Sequence, residues 1–419
     1  MSIKSIKSKI FRAAAVIVSV AAATAFSADW PCFHGADRTN KSKETGLLKQ
    51  WPKDGPKLLW TATGLGEGYS SVSTSGGNVY SAGVKGGVNY VFAFDNAGKR
   101  LWEKPAGKAW EATRAFARAY AGARGTPTVS GGVVYYLSDT GLLVALDAKT
   151  GAEKWSLNIR EKYGAEIPEY GYSESPLADG DRLYAAPYGS KASVLCLDKN
   201  TGKPIWEAAP IAGVSGYASH ILADNGGYKQ LIALTADVLY GIDSKTGKLL
   251  WTVLFKNSRD NNCADAIYSD GCVFASGGYG RGSILVKLSQ KDGGVAADKV
   301  YDIKLMDNHH GGVILHNGNL YGSGHESRGW SCLDFKTGKQ RWNTKGKGSL
   351  TFAEDMLYLY DEDGTMTLAK AAPEAYSAVS SFAVPPGGKG AYWAHPVVSN
   401  GILYLRHADN LYAYDIKVK

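Results

Sequence analysis

Cysteine and methionine are scarce in these 419 residues, with five of the first and four of the second. Five thiols (Cys32, Cys196, Cys263, Cys272 and Cys332) form an odd set, so no disulfide framework is written here and an oxidising compartment leaves at least one unpaired. Cys263 and Cys272 lie near each other in sequence but flank a hairpin off register, where bridging geometry is demanding. No two cysteines are adjacent, and no Cys-x-x-Cys-His sequence offers covalent attachment of haem. Long apolar runs are equally lacking. The one candidate, Ala13 to Ala25, follows Lys4, Lys7, Lys9 and Arg12 and ends in small residues, which is the pattern of a secretory signal cleaved after Ser27 or Ala28. It is too short to span a bilayer, and no second such run exists, so no membrane span is expected. Cys32 follows Asp29, Trp30 and Pro31 rather than the small apolar residues of a lipoprotein cleavage box, which argues against a lipid anchor. The expected location is periplasmic or secreted. Excess charge is small too: the formal +8 loses the leader's four cations to become +4, and so mild an excess calls for neither nucleic acid nor an anionic bilayer.

Glycine, tyrosine and tryptophan are plentiful, with 51, 25 and 11 residues. They fall into a repeat. LVALDAKTGAEKW ends at Trp155, VLCLDKNTGKPIW at Trp206, LYGIDSKTGKLLW at Trp251, WSCLDFKTGKQRW at Trp342, and the shorter VFAFDNAGKRLW at Trp102. Each reads as a strand, an Asp that accepts backbone N–H bonds inside a turn, a Gly that supplies positive φ, and a second strand ending in Trp. Upstream of each hairpin lies another, such as TPTVSGGVVYYLS or SPLADGDRLYAAP, giving four strands per unit, the size of a propeller blade. Successive Trp residues from Trp102 to Trp251 stand 53, 51 and 45 residues apart, while the 91 residues to Trp342 hold one further unit with Tyr301 in the Trp position. Phe382 takes that position after Trp342. Trp60 precedes any strands of its own, so it belongs to the outer strand of the last blade, whose inner three strands lie between His395 and Ile416. The count is eight blades of four antiparallel strands, an all-β propeller closed by pairing its mature N-terminus with its C-terminal strands. One large aromatic per blade is expected to pack between neighbours as a structural belt.

The Asp-x-x-Thr-Gly-Lys-x-x-Trp pattern resembles the pyrroloquinoline-quinone (PQQ)-type repeat of the quinoprotein alcohol dehydrogenase-like propellers, over nearly the whole mature chain. The opening DWPCFHGADRTNKSKETGLL with WPKDGPKLLW, and the stretch NHHGGVILHNGNLYG, are similar to bacterial relatives of the outer-membrane-protein assembly lipoprotein. The resemblance implies the propeller fold; by the same resemblance the dehydrogenases use a bound quinone, a calcium ion and a neighbouring pair of cysteines. This chain has no adjacent Cys pair, and no set of oxygen ligands for calcium is spelled out. PQQ and Ca2+ are therefore implied by family resemblance alone, and no cofactor is expected from the residues themselves. One propeller architecture hosts many unrelated activities.

Expected boundaries are a signal over residues 1–28, an extension over 29–57 and the propeller over 58–419. Glu103 to Arg124 and Ser156 to Tyr172 form long connections; AWEATRAFARAYA in the first reads as a short helix. Both join an outer strand to the next inner strand and so lie over one face, the customary binding side. Residues just before the inner strands converge on the channel mouth: Ser70 and Ser71, Arg124, Glu174 with Ser175, His220, Asp265, His309 with His310, Ser349, and Trp393 with His395. Arg124, Glu174, His220, Asp265, His309, His310, Trp393 and His395 are the candidate ligand-binding residues; no metal site or catalytic set is assigned. Each has a second reading. Arg124 and Glu174 form a structural ion pair in one, and Glu174 and Asp265 act as general acid and base in another. His309 and His310 are one packed and one exposed ring in one reading, since adjacent strand positions point to opposite faces, and with His220 and His395 a zinc or copper site in another. His34, His316, His325 and His407 are expected in solvent or loops. The favoured function is a binding or scaffold propeller holding a protein, peptide, glycan or small molecule at the mouth. The alternatives are an enzyme acting on a small molecule or glycan there, or a quinone-dependent dehydrogenase. Amino-terminal sequencing of the exported protein checks the leader: the first residue is Ala28 or Asp29, and an intact Met1 contradicts it.

Overall fold

The computed structural model describes residues 29–291 and 294–419, so the signal assigned to residues 1–28 lies outside the described residues. The repeat folds as its residues dictate. In the hairpin of Val194–Asp198 and Pro204–Ala208, Asp198 Oδ1 accepts from Asn200 N at 3.0 Å, Thr201 N at 2.8 Å and Thr201 Oγ1 at 2.9 Å, and Gly202 closes the turn at φ 69. Just before Trp206 the register slips: Cys196 faces Trp206 but Leu197 faces Pro204. The same bulge precedes Trp155 and Trp251, bending each outer strand where its aromatic must turn toward the next blade.

Eight antiparallel sheets result. Blade 1 spans 73–108, blade 2 128–158, blade 3 177–208, blade 4 221–254, blade 5 267–291 with 294–303, blade 6 313–345, and blade 7 348–383. Blade 8 takes its three inner strands from 397–415 and its outer strand from Lys57–Ala62. Its register runs Lys57↔Asp415, Leu58↔Tyr414, Trp60↔Ala413, with the bulge before Trp60 in its usual place. The ring is thus closed by noncovalent strand pairing, and the cut falls inside the repeat's own hairpin, between Asp415 and Gly55. Closure leaves no sheet edge across the seam to recruit another chain.

Each outer aromatic reaches the next blade. Trp60 Nε1 donates to Asn96 O at 3.0 Å, Trp102 to Ala148 O at 3.1 Å, Trp155 to Lys199 O at 2.9 Å, Trp206 to Ser244 O at 3.2 Å and Trp342 to Ala372 O at 2.9 Å; the Tyr301 hydroxyl donates to Phe335 O at 3.0 Å. Those carbonyls lie in the turn of the neighbouring hairpin, and the ring packs on the turn glycine, except that Trp342 meets Tyr376 in a turn without glycine. A Cβ on Gly202 would sit 2.7 Å from Trp155 Cε3. At the seam Gly55, φ 87, plays the same part, since its Cβ would meet the Phe382 ring at 2.6 Å. Trp251 is the exception. Its neighbour, blade 5, replaces the short turn with ten-residue strands, and Trp251 Nε1 donates instead to Gln230 Oε1 of its own blade at 2.7 Å.

Two further features lock the ring. Arg406, 1% exposed, reaches from blade 8 into blade 1, donating to Ser70 O and Ser81 Oγ at 3.1 and 3.0 Å and to Ala82 O. Residues 29–42 lie against the inner strands of several blades. Trp30 pairs with Thr74, Pro31 O accepts from Val129 N, Asn40 Nδ2 donates to Leu350 O, and Lys41–Ser42 adds a fifth, parallel strand to blade 7. Arg38 donates to His220 O, Ser175 O and Pro176 O. The extension therefore enters the channel from the end opposite the mouth.

Gly202→Ala and Gly132→Ala separate backbone strain from ring seating. Both glycines have positive φ, 69 and 76, but nothing lies within 4 Å of a Cβ on Gly132. Gly132→Ala should cost ~1 kcal/mol for the left-handed backbone, and Gly202→Ala roughly 2–4 kcal/mol because the Trp155 ring must also shift. Urea denaturation of the two variants measures this; equal losses contradict the seating.

Candidate functional site

The residues that precede the inner strands do converge, and most are occupied in holding neighbouring blades together. Ser71 N donates to Thr126 Oγ1 at 3.0 Å, Thr126 N to Ser175 Oγ at 2.9 Å, Ser175 N to Ser219 Oγ at 3.1 Å, and Ser219 N to Asp265 Oδ1 at 2.7 Å. One side-chain oxygen per blade caps the backbone N–H of the blade before it, from blade 1 round to blade 5. A buried N–H without a partner costs about as much as a lost hydrogen bond, so a Ser, Thr or Asp is required at each of these positions. Asp265 brings a second oxygen that the Ser and Thr positions lack, and Oδ2 faces His34 Nδ1 at 3.2 Å.

His34 continues that line. Its Nε2 lies 3.0 Å from His395 Nδ1, and His395 Nε2 lies 2.7 Å from His310 O. Nε2 must donate to that carbonyl, so Nδ1 of a neutral His395 accepts from His34. Burial, then the neighbouring His34, pushes His395 well down from the ordinary histidine value, keeping it neutral. His34 does lie in a turn, but at 6% exposure it is buried rather than in solvent; it comes from the extension, whose sequence carries no repeat to place it. His407 is likewise buried, stacked on Tyr392 at 3.6 Å.

Glu174 does not pair with Arg124. Its Oε1 meets His220 Nδ1 at 2.8 Å, its Oε2 accepts from Ala186 N at 2.9 Å, and His220 Nε2 meets the Tyr240 hydroxyl at 2.7 Å, which in turn meets the Tyr188 hydroxyl at 3.0 Å. His220 and Glu174 are 0% and 3% exposed. This network ties blade 3 to blade 4 beneath the mouth. His220 therefore joins no metal set with His309 and His310.

Above these groups the mouth is aromatic. Ring centroids follow one another from Tyr217 to Tyr170 at 6.3 Å, Tyr120 at 6.3 Å, Trp393 at 5.4 Å, His310 at 4.6 Å, His309 at 5.0 Å and Tyr279 at 5.0 Å. The Tyr120 and Trp393 planes are within 8° of parallel, and Tyr69 flanks Trp393 at 4.9 Å. Tyr120 is delivered by the 3-10 helix Ala115–Tyr120 of the long connection before blade 2, so the helix expected there is a single short 3-10 segment. Arg124 stands inside this wall with its guanidinium 5.6, 5.7 and 6.0 Å from the Tyr69, Trp110 and Tyr170 rings, donating to Tyr170 O at 2.7 Å and to Tyr120 O. Carbonyls and π-faces take the place of a carboxylate there, and burial lowers its pKa. Tyr217 and Tyr279 hold left-handed backbone, φ 78 and 57, a costly state for a bulky residue that tends to mark functional loops. The mouth tyrosines were not read from the sequence: tyrosine is common here, four of these five lie in connections between blades, and Tyr279 lies in a hairpin loop of blade 5.

His309, His310 and His325 crowd one side, with His309 to His325 at 4.7 Å. Burial, then the neighbouring histidines and Lys347, pushes His309 well down; burial, then Lys347, brings His325 to about 4. Glu362 anchors the group. Its Oε1 is 3.2 Å from His310 Nε2, 2.9 Å from Trp393 Nε1 and 3.1 Å from Lys347 Nζ. Burial alone would raise its carboxyl, but His310 and Lys347 outweigh that and hold it at about 2.

The residues do not suit the calcium ion that the dehydrogenases use. Calcium takes six to eight oxygens, whereas both Glu174 oxygens and Asp265 Oδ1 already serve protein donors, and among the described residues no three His, Cys, Asp or Glu side chains are placed to hold a metal. All five cysteines are free thiols, Cys263 and Cys272 included.

Comparison with known proteins adds to this geometry. The family described as outer membrane protein assembly factor BamB matches residues 87–344. The chain is 35% identical over 130 residues to a quinoprotein ethanol dehydrogenase of Pseudomonas aeruginosa, covering 29% of this chain and 17% of that protein. It is 24% identical over 264 residues to the outer membrane protein assembly factor BamB of Yersinia pestis, covering 58% and 63%. Less than two thirds of either relative's length is spanned. Among solved structures, a europium-containing methanol dehydrogenase superposes with a TM-score of 0.67 at 13% identity, over 90% of this chain and 89% of that one; at such identity the likeness is one of fold.

The mouth's carboxylate yields a pH prediction. Glu362 has a folded value of about 2 against an ordinary 4.5, so the stability it contributes is complete above the ordinary value and lost as pH falls through about 2. At pH 7 Glu362→Gln should lower stability by up to about 3 kcal/mol, and the gap to the parent should close toward pH 2. Urea midpoints across that range report it; a gap independent of pH contradicts it.

Proposed function

The chain belongs to the family of the outer membrane protein assembly factor BamB, and from that membership and the mouth we propose an exported binding or scaffold propeller that engages a polypeptide partner there. The observation that carries this is the composition of the mouth: five tyrosines, Trp393 and the partly buried Arg124, joined in one aromatic arc. Tyr, Trp and Arg are the residues that dominate binding energy in interfaces. Phe116, 55% exposed on the 3-10 helix beside the arc, extends the apolar surface. Beneath it, Glu174, His220, Asp265 and His395 act as positioning groups for the mouth. On this reading residues 1–28 are a leader, 29–57 an extension seated in the channel and 58–419 the propeller, in the periplasm or outside the cell, with Trp60, Trp102, Trp155, Trp206 and Trp342 docking their blades on the next.

A photo-crosslinking amino acid in place of Phe116 tests it, with the same group in place of Lys149 on the opposite face as the control. Protein adducts are expected from position 116 in an exported-fraction preparation, and Trp393→Ala or Tyr170→Ala should weaken the adduct-forming affinity by about thirtyfold, the equivalent of a 2 kcal/mol hot spot. Adducts from position 149 alone, or adducts at 116 indifferent to Trp393, contradict the proposal.

A further inference from the structure

Beside the arc, on the same face, a cavity of about 400 Å3 opens between blades 6 and 7. Three cations, Arg328, Lys345 and Lys347, line it together with three carboxylates, Asp361, Glu362 and Asp363. Ser327 and Gly346 complete the lining. The balance of charge disfavours two ligands: a phosphate would meet three carboxylates, and a divalent cation three cationic groups, each attraction offset by a repulsion of the same order. What remains is a ligand that both donates and accepts hydrogen bonds without net charge.

The donors and acceptors are set for one. Glu362 Oε1 is taken by His310, Trp393 and Lys347, but Oε2 receives no hydrogen bond among the described residues and faces Arg328 Nη2 at 3.9 Å. That gap is too long for a hydrogen bond, so both groups remain available to ligand hydroxyls, which can accept from Arg328 and donate to Glu362. Arg328 is presented by a residue in left-handed backbone, φ 46, with its side chain 69% exposed, and Lys345 pairs with no carboxylate among the described residues. We infer that this cavity is a subsite for a neutral polyhydroxylated ligand, the end of an oligosaccharide, held by vicinal hydroxyls between Arg328 and Glu362. It adjoins the arc through Glu362, which also holds Trp393 and His310, so Arg328→Ala, which touches neither, is the variant that lets either reading fail alone.

Isothermal titration of the mature protein with maltotriose, cellotriose and triacetylchitotriose, and separately with inorganic phosphate and calcium chloride, decides the matter. At least one trisaccharide is expected to bind at millimolar concentration or below. Arg328→Ala and Glu362→Gln should each weaken it by about tenfold or more, the loss of one charge-assisted hydrogen bond, while Tyr170→Ala leaves it unchanged. Arg328 is exposed enough that its loss spares the fold. Absence of heat with all three sugars, saturation by phosphate or calcium instead, or a trisaccharide bound equally by Arg328→Ala overturns the inference. Loss of sugar binding in Tyr170→Ala with Arg328→Ala unaffected assigns the sugar to the arc and overturns it as well.

Discussion

No blade of this propeller is complete without the next one. The outer edge of each blade ends in an aromatic ring whose N–H or O–H partner, in six of eight cases, is a turn carbonyl of the following blade. Toward the axis, from blade 1 to blade 5, a backbone N–H finds its acceptor on a Ser, Thr or Asp of the following blade. Both contacts point the same way round the ring. Isolated four-stranded blades would leave a large ring exposed outside and an orphaned donor within, and each penalty is removed only by a neighbour. A circle of such units has to close. The chain closes it by splitting one repeat between its two ends, Gly55 and Trp60 from one and Asp415 from the other, so the seam is built from the same parts as every other hairpin.

That constraint also sorts the polar groups. Acids and histidines at the starts of the inner strands look chemically active because they converge, but convergence is what the inner belt requires. Asp265 caps Ser219, Glu174 joins His220 across two blades, and His395 fixes the carbonyl of His310. Their buried bonds support a layer above them where side chains from the connections meet: the tyrosines, Trp393, Arg124 and the cavity beside Glu362. Tyr217, Tyr279 and Arg328, three of the fifteen non-glycine residues with left-handed backbone among the described residues, lie in this layer.

The fold was legible because the repeat carries it in local chemistry. Asp198 with Thr201 and Gly202 specifies a turn, Trp206 specifies a seat on the next blade, and four near-copies with one truncated relative establish the period; even the divergent Tyr301 and Phe382 fall at the predicted place. Positions at the mouth were legible for the same reason, as residues preceding an inner strand. Partners were not. The spacing says that Arg124, Glu174 and His220 share a region, but which of Arg124 and His220 meets Glu174 depends on how far each side chain descends into the channel, and the aromatic wall that makes a carboxylate unnecessary for Arg124 comes from three connections with no common pattern. His34 and Arg38 were invisible for a further reason: they belong to an extension that pairs with residues far along the chain, and nothing in their own neighbourhood signals it.

Mutual dependence of the blades requires the seam to behave as an ordinary hairpin. Native-state hydrogen exchange measures that directly, by comparing amides of Lys57–Ala62 and Asn410–Asp415 in blade 8 with those of Val194–Asp198 and Pro204–Ala208 in blade 3, where the chain is continuous. If every blade depends on the next, the split and unsplit hairpins open together, at the same free energy and with the same denaturant dependence. Exchange at the seam through a separate opening of much lower free energy, with blade 3 still protected, would show that the blades stand alone and that the ring is only their arrangement.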